Sequence, residues 1–260
     1  MSDKRFEGRH VLITGAGTGI GRAIALRLAA EGAALSLLAR DTSRLDETVS
    51  LAGTDAASIG VHACDIRDGA QTRAAVAAAA EARGPFHAVI ANSGIGGGNE
   101  PGEEDRFDDL VATNLTGTYN TLRAAQAHLA DQTERRHLVV VSSILARIGV
   151  AGYTGYCASK AGLLGLVRAL AMELAPQEVQ VNAVCPGWVD TAMAREGLAG
   201  MATGMGISVE EAHKIAMSEV PLGRMGKPEE VAGMIAWLCT ADANGVTGQA
   251  LDVNGGAFML

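Results

Sequence analysis

Short apolar runs alternate with longer segments of helical spacing along the whole chain. The runs are rich in Val, Leu, Ile and Ala, which is typical of parallel strands that are buried on both faces. They lie at His10–Thr14, Ala34–Ala39, Ile59–Ala63, Phe86–Ala91, Leu138–Val141, Val179–Val184 and Gln249–Val253. The helical segments lie at Arg22–Glu31, Ser43–Leu51, Gly69–Arg83, Phe107–Ala130, Gly155–Ala175 and Pro228–Leu238.

Strands that alternate with helices predict an α/β protein. We expect a doubly wound fold, with a mostly parallel seven-stranded sheet and helices on both faces. The 260 residues contain no internal repeat, low-complexity tract or linker. We therefore predict a single domain over residues 1–260.

The amino-acid composition and net charge limit the kinds of molecule that the protein is expected to bind. Apolar residues make up 48% of the chain, and the formal net charge is −8 without a basic run. This balance argues against nucleic acid or an anionic membrane as partner. No apolar run is long enough to span a bilayer, and the polar N-terminus lacks the apolar core of a signal peptide.

The four cysteines, Cys64, Cys157, Cys185 and Cys239, are widely spaced and form no CxxC pair. The six histidines form no HExxH motif. This usage predicts free thiols in a reducing cytoplasm, and no metal site.

Polar or glycine-rich features follow six of the predicted strands. A glycine turn from Gly15 to Gly21 follows the first, and the others begin at Arg40, Asp65, Asn92, Ser142 and Pro186. Because parallel strands end at one edge of a sheet, where open sheets bind ligands, these features predict one ligand site. Glycines between a strand and a helix also let a phosphate approach backbone N–H groups, which favours a dinucleotide.

The segment from Ser142 to Lys160 contains the candidate proton-transfer chemistry. Tyr156 and Lys160 are four residues apart in a predicted helix and therefore share one face of it. A neighbouring ammonium stabilises a phenolate and lowers the pKa of the phenol, which makes Tyr156 a candidate proton donor. Tyr153, by contrast, has Cys157 rather than a lysine four residues on.

With these residues the chain resembles the short-chain dehydrogenase/reductase family, in its short single-domain branch, over essentially its whole length. Residues 14–21, TGAGTGIG, match the family's TGxxxGxG motif, and Tyr156 with Lys160 match its YxxxK pair. Pro186-Gly187 match its PG turn, and residues 91–94, ANSG, stand where NNAG is usual. The resemblance implies a Rossmann fold that binds NAD(P).

The resemblance also implies a role for each catalytic residue. Asn114 and Ser143 match the family's catalytic asparagine and serine. Tyr156 would protonate a carbonyl oxygen as hydride arrives, while Lys160 would lower the phenol's pKa and hold the nicotinamide ribose. Ser143 would donate a hydrogen bond to the substrate oxygen; Ser142 competes for this role, but the family's spacing favours Ser143. Asn114 would kink a helix and hold a water in a proton relay.

Arg40, at the end of the second strand, bears on the choice of cofactor. A guanidinium there can pair with a 2′-phosphate, whereas an acidic residue would bind the ribose hydroxyls, so we expect NADP(H) rather than NAD(H). Asp41 either offsets this attraction or turns to solvent. Asp65 either contacts the adenine or caps the helix that follows it. We expect nucleotide contacts from Gly15, Gly17, Thr18, Gly19, Ile20, Arg40, Asp65, Ile66, Asn92, Gly94, Tyr156, Lys160, Pro186, Gly187, Val189 and Thr191.

Residues 191–217 are interrupted by glycines and rich in methionine, which permits movement and adapts to irregular shapes. They predict a substrate lid, with a short helix that a capping box opens at Ser208–Glu211; core filling by methionine is the alternative. We expect a small-molecule carbonyl or alcohol substrate of apolar character. Its predicted contacts are Ser143, Leu145, Val150, Tyr153, Tyr156, Trp188 and Met193.

The helical segment Gly155–Ala175 is apolar nearly all round, which is more than one face of a sheet needs to cover it. We expect the surplus face to contact a second subunit. The family resemblance implies a homo-oligomer, either a dimer or a tetramer.

Together these features predict an NADP(H)-dependent oxidoreductase that reversibly reduces a ketone or 3-oxoacyl thioester to a secondary alcohol. Two alternatives stay open: an NAD-dependent secondary alcohol dehydrogenase, and a nucleotide-binding regulatory subunit without turnover. The presence of Asn114, Ser143, Tyr156 and Lys160 argues against the second. The glycine spacing argues against an epimerase or dehydratase of the family's longer branch.

Overall fold

In a computed structural model, which describes residues 4–132 and 134–259, seven strands form one sheet. They are β1 (His10–Thr14), β2 (Ala34–Ala39), β3 (Ile59–Ala63), β4 (Ala88–Ala91), β5 (Arg136–Val141), β6 (Val179–Pro186) and β7 (Ala250–Val253). Their order is β3-β2-β1-β4-β5-β6-β7, and every neighbouring pair is parallel. The strand order reverses between β1 and β4, which opens a crevice at their carboxyl ends. The predicted doubly wound fold is confirmed.

Helices cover both faces of the sheet. They are α1 (Gly19–Ala30), α2 (Thr42–Leu51), α3 (Gly69–Arg83), α4 (Phe107–Val111), α5 (Gly117–Gln126), α6 (Thr154–Leu174), α7 (Ala192–Met205), α8 (Val209–Ser218) and α9 (Pro228–Leu238). On one face α1 and α9 pack together through the fully buried Ile24 and Ile235. On the other face α5 and α6 contribute Leu122 and Leu163 to a second core.

The prediction of one continuous helix over residues 107–130 is wrong. Helix α4 gives way to a π-helical turn over Ala112–Thr116, from which α5 continues. After α5 the backbone at residues 128–130 pairs with Phe86 instead of extending the helix. The apolar residues there pair with the segment that leads into β4. Helical spacing alone does not distinguish such residues from one face of a helix.

The segment predicted as a glycine-interrupted lid, residues 191–217, is largely helical. Helix α7 runs unbroken through Gly197, Gly200 and Gly204, so the expected interruption is wrong. Each glycine costs a helix roughly 1 kcal/mol relative to alanine, but packing of a buried face outweighs such propensities. Gly206, with a φ of 66° in the left-handed region, ends the helix.

The capping box predicted at the start of α8 is confirmed. Ser208 Oγ accepts a hydrogen bond from the Glu211 N–H at 3.2 Å, and the Glu211 carboxylate accepts one from the Ser208 N–H at 2.9 Å. Helix α8 packs on α7, and Leu198, Met217 and Val220 form a small apolar cluster beneath them.

All four cysteines are free thiols, as predicted, and Cys64, Cys185 and Cys239 are buried. Burial raises the pKa of these three thiols, which makes them poor nucleophiles. Within the described part of the chain, no helix has the length and apolar character needed to cross a bilayer.

Candidate active site

A cleft of about 290 Å³ opens at the carboxyl ends of β1 to β4, beside the start of α7. Its lining brings together residues that lie far apart along the chain. It contains the predicted cofactor contacts Gly15, Gly17, Thr18, Gly19, Ile20, Arg40, Asp65, Ile66, Asn92, Gly94 and Thr191. Met193, which we expected to contact the substrate, lies in the same lining.

The glycine turn is held against the loop after β4. Thr14 Oγ1 accepts hydrogen bonds from the N–H groups of Asn92 at 3.1 Å and Ser93 at 3.0 Å. Asn92 Nδ2 donates to the carbonyl oxygens of Thr14 and Gly15, each at 3.1 Å. A Cβ at Gly15 would lie 2.9 Å from the Ser93 Cα, so only glycine fits there. Sequence reasoning missed this joining role of Thr14, although Thr14 opens the glycine motif.

The start of α1 fits the phosphates of a dinucleotide. Thr18, at the N-cap, forms no side-chain cap hydrogen bond, which leaves the first-turn N–H groups for a ligand. A Cβ at Gly17 would lie 2.9 Å from the Arg44 Cβ, and Gly19 has a φ of 51°. The glycines thus keep side chains out of the cradle at the helix N-terminus, and the lining fits NAD(P).

Two arginines, Arg40 and Arg44, line the end of the cleft beside β2 and α2. Asp41 caps α2, because its Oδ1 accepts the N–H of Ser43 at 3.0 Å, and its Oδ2 lies 3.3 Å from Arg44 Nε. The carboxylate of Asp41 therefore offsets the charge of Arg44. Arg44 is a cleft cation that sequence reasoning missed, since nothing in its local pattern separates it from a surface arginine.

Asp65 does not cap the helix that follows it. Asp68 caps α3, and its Oδ1 accepts two first-turn N–H groups at 2.8 and 3.0 Å. The Asp65 carboxylate pairs instead with Arg67 at 2.7 Å, and the same guanidinium reaches Asp109 at 3.0 Å. The hydrogen bonds from Arg67 lower the pKa of Asp65. Asp65 keeps its place in the cleft lining as a fixed carboxylate.

Ser143, Tyr156 and Lys160 lie together at the carboxyl end of β5. The hydroxyl of Ser143 lies near the phenol of Tyr156 and lowers its pKa. Lys160 Nζ lies 5.7 Å from the centre of the Tyr156 ring and donates to the carbonyl oxygen of Val141 at 3.0 Å. A Cβ at Gly94 would lie 3.4 Å from Lys160 Nζ, so this group borders the cofactor cleft.

Burial is the largest influence on the pKa values of Tyr156 and Lys160. It raises the pKa of Tyr156, and the nearby hydroxyl of Ser143 offsets only part of that effect. Burial also lowers the pKa of Lys160 to about 8. Lys160 is not among the groups that shift the pKa of Tyr156, and its ammonium is directed at the Val141 carbonyl oxygen. Its effect on the phenol stays a prediction.

The structure separates the two candidate serines. Ser142 Oγ donates to the carbonyl oxygen of Lys160 at 2.9 Å and is buried, so its hydroxyl serves the packing of α6 on β5. Ser143 Oγ accepts the N–H of Leu145 at 3.1 Å, and its hydroxyl lowers the pKa of the nearby Tyr156. Ser143 is therefore the hydroxyl that faces the phenol.

Asn114 is fully buried in the π-helical turn, at the position where we expected a kink. Its Oδ1 accepts the N–H of Ile95 at 2.8 Å, and its Nδ2 donates to the Ile95 carbonyl at 3.0 Å and to Ser159 Oγ at 3.1 Å. The carboxamide thus ties the loop after β4 to α6, one turn from Tyr156.

Pro186, Gly187 and Val189 do not line this cleft. They lie on the connection from β6 to α7, where Pro186 ends the strand and Val189 is buried. Trp188 packs against α7, since a Cβ at Gly197 would lie 3.5 Å from its ring. These predicted contacts therefore lie outside the cleft lining, on the same connection that carries Thr191 into the cleft.

The remaining predicted substrate contacts surround the loop between β5 and α6. Leu145, Val150 and Tyr153 all keep exposed surface there. The Tyr153 ring lies 3.7 Å from the position of a Cβ at Gly98, so it borders the glycine loop after β4.

Comparison with known proteins identifies relatives over the whole chain. A family model described as enoyl-(acyl carrier protein) reductase matches residues 15–257. A Streptomyces violaceoruber protein that carries the name ketoacyl reductase 1 of the granaticin polyketide synthase is 41% identical, with coverage of 94% of this chain and 91% of the relative. The 3-oxoacyl-[acyl-carrier-protein] reductase of Thermotoga maritima is 35% identical, with coverage of 97% and 98%.

Solved structures give the same result. A crystal structure of a variant actinorhodin polyketide ketoreductase with NADPH superposes with a TM-score of 0.90 at 36% identity. The match covers 99% of each chain. Fold and chain length are therefore shared from end to end.

Proposed function

The chain belongs to the short-chain dehydrogenase/reductase family, and on that premise we propose that it reduces a ketone or 3-oxoacyl thioester to a secondary alcohol with NADPH. The observation that carries the proposal is the group of Ser143, Tyr156 and Lys160 beside a cleft that fits a dinucleotide. The bound cofactor supplies the hydride. Relatives named as 3-oxoacyl and ketoacyl reductases support this substrate class.

Each side chain has one task in this reaction. Ser143 donates a hydrogen bond to the substrate carbonyl oxygen, and Tyr156 gives that oxygen its proton. A raised phenol pKa keeps Tyr156 protonated at neutral pH, which is the form that reduction requires. Lys160 would hold the nicotinamide ribose, and Asn114 would hold a water that resupplies the proton.

The choice of NADP(H) rests on the two arginines at the cleft. Arg40 and Arg44 can both reach a 2′-phosphate, and a guanidinium binds phosphate with two parallel hydrogen bonds. The NADPH in the related ketoreductase structure supports this choice. An NAD-dependent alcohol dehydrogenase is the second candidate, because Asp41 lies beside Arg44 and weakens its charge.

Residues 191–217 act as the lid in this proposal, and the substrate is apolar. Met193 starts α7 inside the cleft lining, and its Sδ lies 2.9 Å from the position of a Cβ at Gly96. The thioether therefore crosses from α7 to the loop after β4. A side chain at position 96 would force the thioether to shift.

We also propose that the protein is a homo-oligomer that packs through α6. The exposed face of this helix carries Arg168 and Glu173 and, at helical spacing, the small or apolar residues Ala158, Ala161, Gly165, Ala169 and Met172. Met172 is 80% exposed. Small residues let a second helix approach closely, and burial of Met172 would add to the contact.

The test is oxidation of NADPH and of NADH with aryl ketones, cyclic ketones and 3-oxoacyl thioesters. We expect turnover with NADPH, and a fall in kcat of about 10²- to 10⁴-fold in Tyr156→Phe without weaker NADPH binding. Tyr119→Phe, on the exposed side of α5, is the matched control. NADPH binding without turnover on any substrate would favour the regulatory subunit, and an active Tyr156→Phe variant would refute the proton donor.

A further inference from the structure

We propose that Asn99 is a positioning residue for Tyr156, an inference that rests on the proposed function. Asn99 lies in the loop after β4, is only 7% exposed and does not line the cofactor cleft. Its carboxamide contacts the first turn of α6, the helix that carries the phenol. The chemistry assigns it no proton, so its effect must pass through the geometry of that helix.

Asn99 supplies the cap that α6 lacks. The N-cap residue of α6, Tyr153, forms no side-chain cap hydrogen bond. Asn99 Oδ1 instead accepts the N–H of Gly155 at 2.8 Å, from a distant part of the sequence. Asn99 Nδ2 donates to Thr154 Oγ1 at 3.0 Å and to Asp105 Oδ1 at 2.9 Å. The Asn99 oxygen therefore binds Gly155, the residue directly before Tyr156. The Asn99 amide nitrogen is held by Thr154 on the helix and by Asp105 on its own side.

Close packing makes this contact specific. A Cβ at Gly155 would lie 3.3 Å from Asn99 Oδ1 and 3.1 Å from the Phe107 Cα. A Cβ at Gly98 would lie 2.8 Å from the carbonyl oxygen of Gly152, which also accepts the Asn99 N–H at 2.8 Å. Glycines on both chains thus allow the loop to touch the helix start, and the carboxamide fills the space between them.

Two buried carboxamides, those of Asn99 and Asn114, hold the first turns of α6 against the loop after β4. Asn114 binds both backbone groups of Ile95 and the hydroxyl of Ser159, which in turn donates to the Tyr156 carbonyl oxygen at 2.9 Å. Asn99 binds the residue before Tyr156. The phenol therefore stands between two anchors, and removal of one allows its oxygen to move relative to Ser143. Misplacement by about 1 Å can cost a reaction about a hundredfold.

The experiment compares Asn99→Ala with Asn182→Ala. Asn182 is also a buried carboxamide, but its hydrogen bonds go to Val246 and Gln249 instead of α6. We expect Asn99→Ala to lower kcat about ten- to a hundredfold, to change KM less than threefold and to leave NADPH binding intact. Asn182→Ala should lose stability but keep kcat. Hydrogen exchange of the Gly155 and Tyr156 amides should speed up in Asn99→Ala alone.

A double variant keeps the proposal testable if Asn99→Ala folds poorly. Asn99→Asp alone retains the acceptor for Gly155 but sets a carboxylate against Asp105, whereas Asn99→Asp with Asp105→Asn restores a donor and acceptor pair. We expect kcat to fall in the first and to recover in the second. Unchanged kcat in Asn99→Ala, or unchanged exchange at Gly155, overturns the inference. A wild-type protein without turnover overturns the proposed function instead, and hydrogen exchange then still decides whether Asn99 holds the helix.

Discussion

Lys160 Nζ donates a hydrogen bond to the backbone carbonyl oxygen of Val141 at 3.0 Å, although a sequence spacing of four residues aligns it with Tyr156. No carboxylate lies within ion-pair distance of this ammonium in residues 4–132 and 134–259, and the side chain is buried. The protein therefore holds a desolvated charge at its active site, and this costs stability.

We predict that Lys160→Met stabilises the protein while it abolishes reduction. The pKa of Lys160 is about 8 in the folded protein, against roughly 10.4 in an unfolded chain, so its charge is penalised fully below pH 8. Burial of the charge costs the folded protein on the order of 3 kcal/mol. Lys160→Met removes this cost but also loses the hydrogen bond to Val141, which is worth about 1 kcal/mol. The free energy of unfolding of the variant should exceed that of the wild type at pH 7, and the difference should shrink as the pH rises from 8 to 10.

Urea unfolding at each pH measures this difference. Lys214→Met, at an exposed lysine of α8, is the matched control and should show no such pH dependence. A Lys160→Met variant that is less stable than wild type at pH 7 would contradict the buried-charge account.

We predict that Arg40 and Arg44 select the cofactor together. A charge-assisted hydrogen bond contributes about 1.5–3 kcal/mol, so Arg40→Ala should raise the KM for NADPH about ten- to a hundredfold and leave that for NADH unchanged. Arg44→Ala should act less, because Asp41 already engages its guanidinium. Arg73→Ala, an exposed arginine of α3, is the control. Equal changes in both KM values would show that the arginines do not read the 2′-phosphate.

Much of the fold follows from the sequence because its physical causes are local. Strands buried on both faces give contiguous apolar runs, so β1, β2 and β3 begin and end where the runs do. The glycine turn is equally legible, since Gly15 and Gly19 adopt left-handed φ values that other residues avoid. Because parallel strands end at the same edge of the sheet, the candidate site residues that follow them lie at that edge, independently of how the side chains pack.

The remainder depends on neighbours that the sequence does not reveal. Asp65 pairs with Arg67, whose guanidinium also reaches Asp109 from a distant element. The cap of α3 is legible, because Asp68 directly precedes the predicted helix start at Gly69, and the assignment to Asp65 overlooks it. The charge state of Lys160 depends on burial by elements remote in sequence. Asn99 carries no motif, because its partner Gly155 lies on another element and becomes adjacent only in the folded chain.

We predict that Met193 retains the bound cofactor. Its thioether lines the cleft and reaches over Gly96, so Met193→Ala removes a contact that closes the cleft. Loss of about 1 kcal/mol of apolar contact should raise the NADPH dissociation rate about fivefold in stopped-flow fluorescence. Met205→Ala, at the exposed end of α7, should leave the rate unchanged. Equal rates in both variants would argue against a lid at this position.

We predict that Met172→Arg dissociates the oligomer. Met172 stands in the exposed face of α6 formed by Ala158, Ala161, Gly165 and Ala169, and two copies of an arginine there would repel across a helix pair. Light scattering should report a smaller particle than wild type. Met205→Arg, on α7, is the control for an added charge. A wild-type protein that is already monomeric would refute the proposed contact.

We predict that His137 limits stability at acidic pH. It is buried in β5, and neither ring nitrogen has a hydrogen-bond partner in the described part of the chain. Burial, together with the nearby Arg9 and Arg135, lowers the pKa of His137 to about 4. Since the unfolded chain takes up a proton near pH 6.5, stability is complete above that pH and declines as the pH falls toward 4.

The loss from this one group should reach about 2 kcal/mol at pH 5. His137→Leu should therefore reduce by about that amount the difference in free energy of unfolding between pH 7 and pH 5, measured with urea at one protein concentration. His213→Leu, at an exposed histidine of α8, should retain the wild-type difference. If His137→Leu loses as much stability as the wild type between the two pH values, other groups cause the acid sensitivity, and the buried His10 becomes the next residue to test.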